Sequence, residues 1–193
     1  MKQNTQKNLA VLVEAALMIA LATVLSTFFQ LKLWPNGGSV TLFSMVPIVL
    51  IAYRHGAKWG LATGFVYSVL QLLLGGLSDL RAVSGGTFVA ALFLDFFLPF
   101  TLLGLAGIFK GKLSNERLSM GIGAAFVTVL RFLCHFLSGF LLWGSIADDG
   151  IGAVIYSLTY NASYMVPEII LTTVAAVLIY PPLAKVLARN KLA

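Results

Sequence analysis

Apolar segments long enough to cross a lipid bilayer make up most of this sequence. The long ones lie at residues 9–29, 59–75, 88–109, 118–143 and 153–188, and a shorter one at 40–53 contains Pro47. A transmembrane helix needs about 20 predominantly apolar residues, whereas an internal proline indicates a kinked or re-entrant segment. Only 10% of the residues are charged, against about 25% in soluble domains. The sequence therefore predicts an all-α integral membrane protein, a single domain over residues 1–193 built as a bundle of six transmembrane helices.

Basic residues indicate how these helices are oriented. The amino terminus, residues 54–58, residues 110–117 and the carboxyl terminus fall on one side, and they hold ten of the thirteen lysines and arginines. The opposite loops hold Lys32, Arg81, Asp79, Asp148 and Asp149. Because Lys and Arg concentrate in cytoplasmic loops, both termini are expected in the cytoplasm. The net charge of +6 is thus explained by membrane topology and does not indicate nucleic-acid binding.

The fifth apolar segment carries an arginine and a histidine. Arg131, His135, Gly139 and Trp143 are spaced four residues apart, so they share one face of a helix. A charged side chain at the bilayer centre costs about 2.5–3.5 kcal/mol on insertion scales, and such residues face a cavity or a partner. This helix is therefore expected to line a polar site.

Polar residues on three predicted helices fall at a similar depth. At about 1.5 Å per residue, Asp95, His135 and Asn161 lie roughly 10, 12 and 13 Å below the outer boundary. Trp143 and Tyr156 add aromatic faces nearer to the outer surface. A carboxylate, a histidine, an amide and aromatic rings suit a flat, cationic, nitrogen-rich heterocycle, because its ring stacks, its charge gains cation–π contact and its exocyclic groups form hydrogen bonds.

Each of these residues also has a purely structural interpretation. Asp95 and Arg131 can form a structural ion pair, and His135 can be a packing residue. Asn161 can join two helices by hydrogen bonds. Trp143 and Tyr156 can belong to the aromatic belt at the membrane interface.

Small residues mark the first apolar segment. Ala16 and Ala20 are four apart, a spacing that lets another helix approach closely. That helix is either a neighbour within this chain or part of a partner subunit. Glu14 in this segment and Glu168 in the last one are interpreted as structural hydrogen-bonding or helix-end groups, with the alternative that Glu168, which follows Pro167, faces the cavity.

Two segments carry the most specific pattern, RFLCHFLSG at 131–139 followed by Trp143, and YSLTYN at 156–161. Weaker matches lie at 13–20, 37–47, 94–97 and 103–107, so the pattern extends over about residues 9–188. Together they resemble the thiamin-specific substrate-binding (S) components of energy-coupling factor (ECF) transporters.

The resemblance implies six membrane helices in a bacterial cell membrane, both termini inside, and a thiamin pocket near the outer face. It implies a pocket lined by Asp95, Arg131, His135, Trp143, Tyr156 and Asn161. It also implies partners, namely a transmembrane coupling subunit that contacts Ala16 and Ala20, and two cytosolic ATPases. No catalytic site or cofactor is implied, and the sequence has no G-x-x-x-x-G-K-[ST] phosphate loop, so a partner would hydrolyse ATP.

The chain departs from the family pattern at two places. A pocket tryptophan in the first loop of some relatives aligns nearer Gly38 than Trp34. The loop at 75–87 is longer than in those relatives, and a tyrosine expected there has no clear counterpart.

Other functions stay open on the sequence alone. One is an S component for a different vitamin or precursor, and another is a structural or assembly subunit without a ligand. A third is an intramembrane enzyme using Asp95, His135 and Glu168 as a catalytic or metal set, although no H-E-x-x-H spacing supports it.

Overall fold

The computed structural model describes residues 2–34, 37–143 and 152–189; Asp148, Asp149 and Lys191 lie outside the described residues. The described residues form one β-hairpin and six helices: α1 (Lys2–Phe28), α2 (Val46–His55), α3 (Ala57–Asp79), α4 (Gly85–Phe109), α5 (Glu116–Leu141) and α6 (Ala153–Arg189). All of these helices except α2 are long and apolar enough to cross a membrane. The prediction of a helical membrane protein is confirmed at this level.

Helix α2 is shorter than the apolar segment predicted at 40–53. It has 10 residues, which at about 1.5 Å per residue is roughly half the apolar thickness of a bilayer. Val40 and Thr41 belong to a β-strand, and the chain then turns at Phe43, whose φ is 63°. The helix starts with Pro47 in its first turn, where the missing N–H costs nothing. Every residue from Val46 to Tyr53 is buried, so α2 is a central helix enclosed by the others.

The turn residues at 35–38 predict a loop over residues 30–39, whereas the structure has a β-hairpin there. Strand β1 (Gln30–Trp34) pairs antiparallel with β2 (Gly37–Thr41), with Leu31 opposite Val40 and Lys32 opposite Ser39. Pro35 and Asn36 of the Pro-Asn-Gly-Gly sequence lie outside the described residues, and the strands on either side of them were missed. Their alternation of apolar and polar residues covers only a few positions, which is too short to outweigh the turn residues.

Glycines allow α3 and α4 to pack with their backbones in contact. A Cβ atom on Gly60 would lie 2.4 Å from the carbonyl oxygen of Gly104, and one on Gly64 would lie 2.5 Å from that of Phe100. Small residues at this spacing permit close helix approach in membrane proteins. The core that results surrounds α2 and includes Met45 and Tyr67, both fully buried.

Both α3 and α4 contain π-helical turns, at Leu72–Gly76 and Leu92–Phe97. Such turns occur frequently at functional sites, and the second one holds Asp95. The polar loop predicted at 76–87 is mostly helical, since α3 continues to Asp79 and a 3₁₀ turn follows at Leu80–Ala82. Gly76 does not end the helix but packs against the ring of Phe96, where a Cβ would lie 2.1 Å from a ring carbon.

Tyr53 is the centre of a polar cluster at one end of the bundle. Its hydroxyl donates to the Glu116 carboxylate, and its ring meets Tyr180 edge-on at 5.7 Å. Lys110 lies over the same ring and donates to the Arg54 carbonyl oxygen at 3.2 Å. The segments predicted as basic loops, 54–58 and 110–117, therefore meet at the same end of the molecule.

Candidate functional site

A cavity of about 580 Å³ lies at the end of the bundle opposite the Tyr53 cluster. Its wall includes all six residues predicted to bind a ligand: Asp95, Arg131, His135, Trp143, Tyr156 and Asn161. The hairpin, α3 and the 42–45 turn contribute further residues: Gln30, Gly38, Ser39, Thr41, Ser44, Tyr67, Gln71 and Asp79. Sites for small molecules typically have volumes of roughly 300–1,000 Å³, so the cavity is large enough for a vitamin-sized ligand.

The Asp95 carboxylate accepts hydrogen bonds from one side chain on α5 and from another just after the end of α5. Its Oδ2 accepts from Ser138 Oγ at 2.7 Å and from Trp143 Nε1 at 3.3 Å, and its Oδ1 lies 3.4 Å from His135 Nδ1. These contacts hold the imidazole and indole rings in fixed positions on the cavity wall.

Arg131 is connected to Asp95 through His135 and does not pair with it directly in the described structure. Its Nε donates to His135 Nε2 at 3.3 Å, so the neutral imidazole carries its proton on Nδ1, facing Asp95. The guanidinium lies 4.5 Å from the centre of the Phe100 ring and donates to the Met45 sulfur. The result is a chain of arginine, histidine and aspartate in which one positive and one negative charge compensate each other.

Tyrosines of α6 form the aromatic side of the cavity. Tyr156 and Tyr160 stack with ring centres 5.9 Å apart and planes inclined by 15°, and Tyr164 meets Tyr160 edge-on. Tyr164 also donates to Asn161 Oδ1 at 2.6 Å. Rings of this kind attract cations and stack on flat heterocycles.

Asn161 links α6 to α5 as well as lining the cavity. Its Nδ2 donates to the His135 carbonyl oxygen at 3.2 Å, and Ser157 Oγ donates to the Phe136 carbonyl oxygen at 2.7 Å. The helices approach closely here because of Gly139, on which a Cβ would lie 2.3 Å from Ser157 Oγ. The structural interpretation of Asn161, a bond between helices, therefore holds together with its position on the cavity wall.

The hairpin closes one side of the cavity and is attached to α6. Gly38 has a φ of 64°, and its Cα faces the rings of Tyr160 and Tyr164 so closely that a Cβ would lie 3.0 Å from each. At the base of the hairpin, Thr41 donates from both its backbone N–H and its hydroxyl to Glu168 Oε1. Glu168 is 1% exposed, so the structural hydrogen-bonding role predicted for it is confirmed.

Several cavity residues were not selected from the sequence. Tyr160 and Tyr164 continue the helical face of Tyr156, and Tyr67 and Gln71 are four apart on α3, so helical spacing was a usable signal for them. The only sequence signal for Gly38 was the pocket tryptophan of some relatives that aligns near it, and there was none for Asp79. The positions of both depend on how the hairpin and the 3₁₀ turn fold back over the helices.

Ala16 and Ala20 lie away from the cavity, on the outer surface of α1. Both are exposed, whereas Ala15, Ile19 and Ala22 pack into the bundle. Packing against a helix of the same chain therefore does not account for the two predicted contact residues. Glu14 on this helix forms an ion pair with Arg54 and a hydrogen bond with His55, which joins α1 to the end of α2.

Comparisons with known proteins give matches over almost the whole chain. Residues 12–188 match the model of a family described as thiamine transporter protein. Thiamine transporter ThiT of Bacillus subtilis strain 168 is 34% identical over 198 residues, covering 97% of this chain and 99% of that protein. ThiT of Lacticaseibacillus paracasei is 27% identical over 183 residues, covering 87% and 85% of the two chains.

A relative named for a different vitamin also matches. Pantothenic acid transporter PanT of Lactococcus lactis subsp. cremoris is 27% identical over 210 residues, covering 98% of this chain and 99% of that protein. Among solved structures, ThiT of Listeria monocytogenes superimposes with a TM-score of 0.72 at 23% identity, covering 90% of this chain and 94% of the other. The fold is therefore that of the Listeria monocytogenes structure, and the chain belongs to the thiamine transporter protein family.

Proposed function

We propose that this chain is the thiamin-binding S component of an ECF-type vitamin importer, which captures thiamin at the outer face of a bacterial membrane. Its family and its relatives named for thiamine transport support this reading. The observation that carries the proposal is the cavity in which a carboxylate and a histidine lie opposite stacked tyrosines.

The chemistry of the cavity matches the chemistry of thiamin. Thiamin has an aminopyrimidine ring, a permanently positive thiazolium ring and a hydroxyethyl group. Asp95 complements the positive charge or the amino group, while His135 and Asn161 supply hydrogen bonds. Trp143 and Tyr156 stack on the rings, a contact worth about 0.5–2 kcal/mol when the partner is cationic. Arg131 lines the site and orients His135.

An S component for pantothenic acid is the second candidate, because PanT matches over nearly the full chain. Pantothenate is an anion without an aromatic ring. The cavity presents two carboxylates, Asp79 and Asp95, against one arginine, and stacked rings have no flat partner in pantothenate. Both features favour thiamin.

Competition binding separates these ligands. Purified protein with radiolabelled thiamin bound is challenged in turn with unlabelled thiamin, pantothenate, riboflavin, biotin and pyrimidine precursors of thiamin. Displacement by unlabelled thiamin alone is expected, and efficient displacement by pantothenate would assign the chain to the other vitamin.

The orientation in the membrane follows from the two ends of the bundle. Arg54 and Lys110 lie together at the end opposite the cavity, and basic loops face the cytoplasm. The cavity then opens to the outside. Helix α2 is short, but its start adjoins the hairpin over the cavity and its end reaches the Tyr53 cluster. In this proposal the chain therefore crosses from one end of the bundle to the other along α2. With six crossings, both termini would lie in the cytoplasm.

Transport requires partners that this chain does not contain. A transmembrane coupling subunit and two cytosolic ATPases would complete the importer. The exposed Ala16 and Ala20 of α1 leave room for a helix of the coupling subunit to approach closely, and no cofactor is needed within this chain for binding.

A further inference from the structure

Asp79 is the second carboxylate on the cavity wall, and it differs from Asp95 in its partners. It ends α3, next to Leu80, which is 1% exposed and packs in the cluster that includes Trp143. Its hydrogen bond from Ser78 Oγ is long, at 3.5 Å. Among the described residues, no Lys, Arg or His nitrogen forms an ion pair with it. Asp79 is exposed, so it lies at the mouth of the cavity and not at its base.

The charges on the cavity wall do not cancel. Asp95 is compensated by the hydrogen bonds of Ser138 and Trp143 and, through His135, by Arg131. With His135 neutral, Asp79 leaves the described lining with one net negative charge. Lys32 of the hairpin is within electrostatic range of Asp79 but not within ion-pair distance. A ligand with one fixed positive charge would restore neutrality.

We infer that Asp79 is a specificity-determining residue at the cavity mouth, which favours cationic thiamin and disfavours its phosphate esters. This rests on the proposed function and adds to it a choice among forms of the same vitamin. A carboxylate at the entrance attracts thiamin, a monocation, and repels thiamin monophosphate, because the phosphate dianion of the ester outweighs the charge of its thiazolium ring. Because Asp79 is solvated, its effect on the affinity for each ligand is modest. The two effects have opposite signs, so they reinforce each other in the ratio of the two affinities.

The test compares Asp79→Asn with wild type by calorimetric titration of three ligands. They are thiamin, thiamin monophosphate, and a neutral thiamin isostere with carbon in place of the quaternary nitrogen. Thiamin affinity is expected to fall by roughly three- to fivefold, the size of a partly solvated ion pair. The affinity for the neutral isostere is expected to stay the same, and that for the monophosphate to rise.

Arg81→Gln is the matched control, since Arg81 is exposed on the same turn and does not line the cavity. It is expected to leave the ratio of thiamin to monophosphate affinity unchanged. Equal and opposite changes in the two variants would mean that only the general surface field matters, and would overturn the inference. So would an unchanged ratio in Asp79→Asn. If the wild type bound no thiamin at all, the proposed function itself would fail, which is a separate outcome.

Discussion

Asp95 shows how one carboxylate can be held inside a membrane protein and still be available to a ligand. Its oxygens accept from Ser138 and Trp143 and lie near His135 Nδ1, which offsets part of the cost of removing a charge from water. One side of the group nevertheless faces the cavity. A cationic ligand therefore meets a charge that is fixed in position before binding.

Substituting Asp95 or His135 by alanine is expected to weaken thiamin binding by more than about tenfold, because each removes a polar group from a largely desolvated site. Binding isotherms on detergent-purified variants measure this change. Leu137→Ala is the control, since Leu137 is exposed on the outer side of α5, the helix that carries His135. Unchanged affinity in both site variants, with intact folding, would contradict the assignment of the site.

Sequence spacing was sufficient to predict some cavity residues and not others. Arg131, His135 and Trp143 were predicted because residues four apart share one face of a helix. On an apolar helix, a face that carries polar groups is expected to line a cavity. Gly38 and Asp79 were not predicted to line it, because their position over the helices depends on long-range contacts such as those of Thr41 with Glu168.

At the scale of elements, the contact between α5 and α6 determines the shape of the cavity. It is closest at Gly139, where Ser157 and Asn161 fill the space that a side chain would occupy. The same two residues hydrogen-bond the backbone of α5 at Phe136 and His135. The geometry of the histidine and the asparagine on the wall therefore depends on this glycine.

Gly139→Ala is expected to lower stability by about 1–3 kcal/mol, because the new methyl group overpacks a buried contact, and to weaken thiamin binding as Asn161 is displaced. Thermal unfolding in detergent, with and without thiamin, measures both effects. Gly75→Ala is the control, since a Cβ there meets nothing within 4 Å. Equal melting temperatures for the two variants would argue against a tight α5–α6 contact.

The sequence predicted the long helices well and the short elements poorly. Hydrophobic length alone identifies α1, α5 and α6. The hairpin at Gln30–Thr41 and the shortened α2 were not predicted. The turn residues and the apolar run at 40–53 fit a loop followed by a longer helix as well as they fit the observed hairpin and short helix. What decides the outcome is non-local, namely the packing of β2 on the tyrosines of α6.

In the whole molecule, the two ends of the bundle carry different groups. The cavity and hairpin form one end, and the contacts of Glu14 with Arg54 and His55 lie towards the other. Between them, α1 presents Ala16 and Ala20 on its outer surface. The proposed ligand site and the proposed partner contact therefore lie on separate surfaces.

The double substitution Ala16→Leu/Ala20→Leu is expected to abolish recovery of the complex with the coupling and ATPase subunits, because the larger side chains prevent close helix approach. Thiamin affinity of the isolated chain is expected to stay the same. Co-purification of co-expressed subunits measures the first effect. Ala10→Leu, at another exposed position of α1, is the control. A complex recovered at wild-type yield from the double variant would place the contact elsewhere.

The most direct test of the central claim is a thiamin titration of detergent-purified, ligand-free protein, followed by intrinsic tryptophan fluorescence. Trp143 lines the cavity and is hydrogen-bonded to Asp95, so a ring stacked in the cavity is expected to quench its emission. Saturable quenching at nanomolar thiamin, lost in Trp143→Phe while calorimetry still detects binding, is the predicted result. A folded protein whose fluorescence and calorimetric signal do not respond to thiamin would contradict the account and leave only the membrane fold.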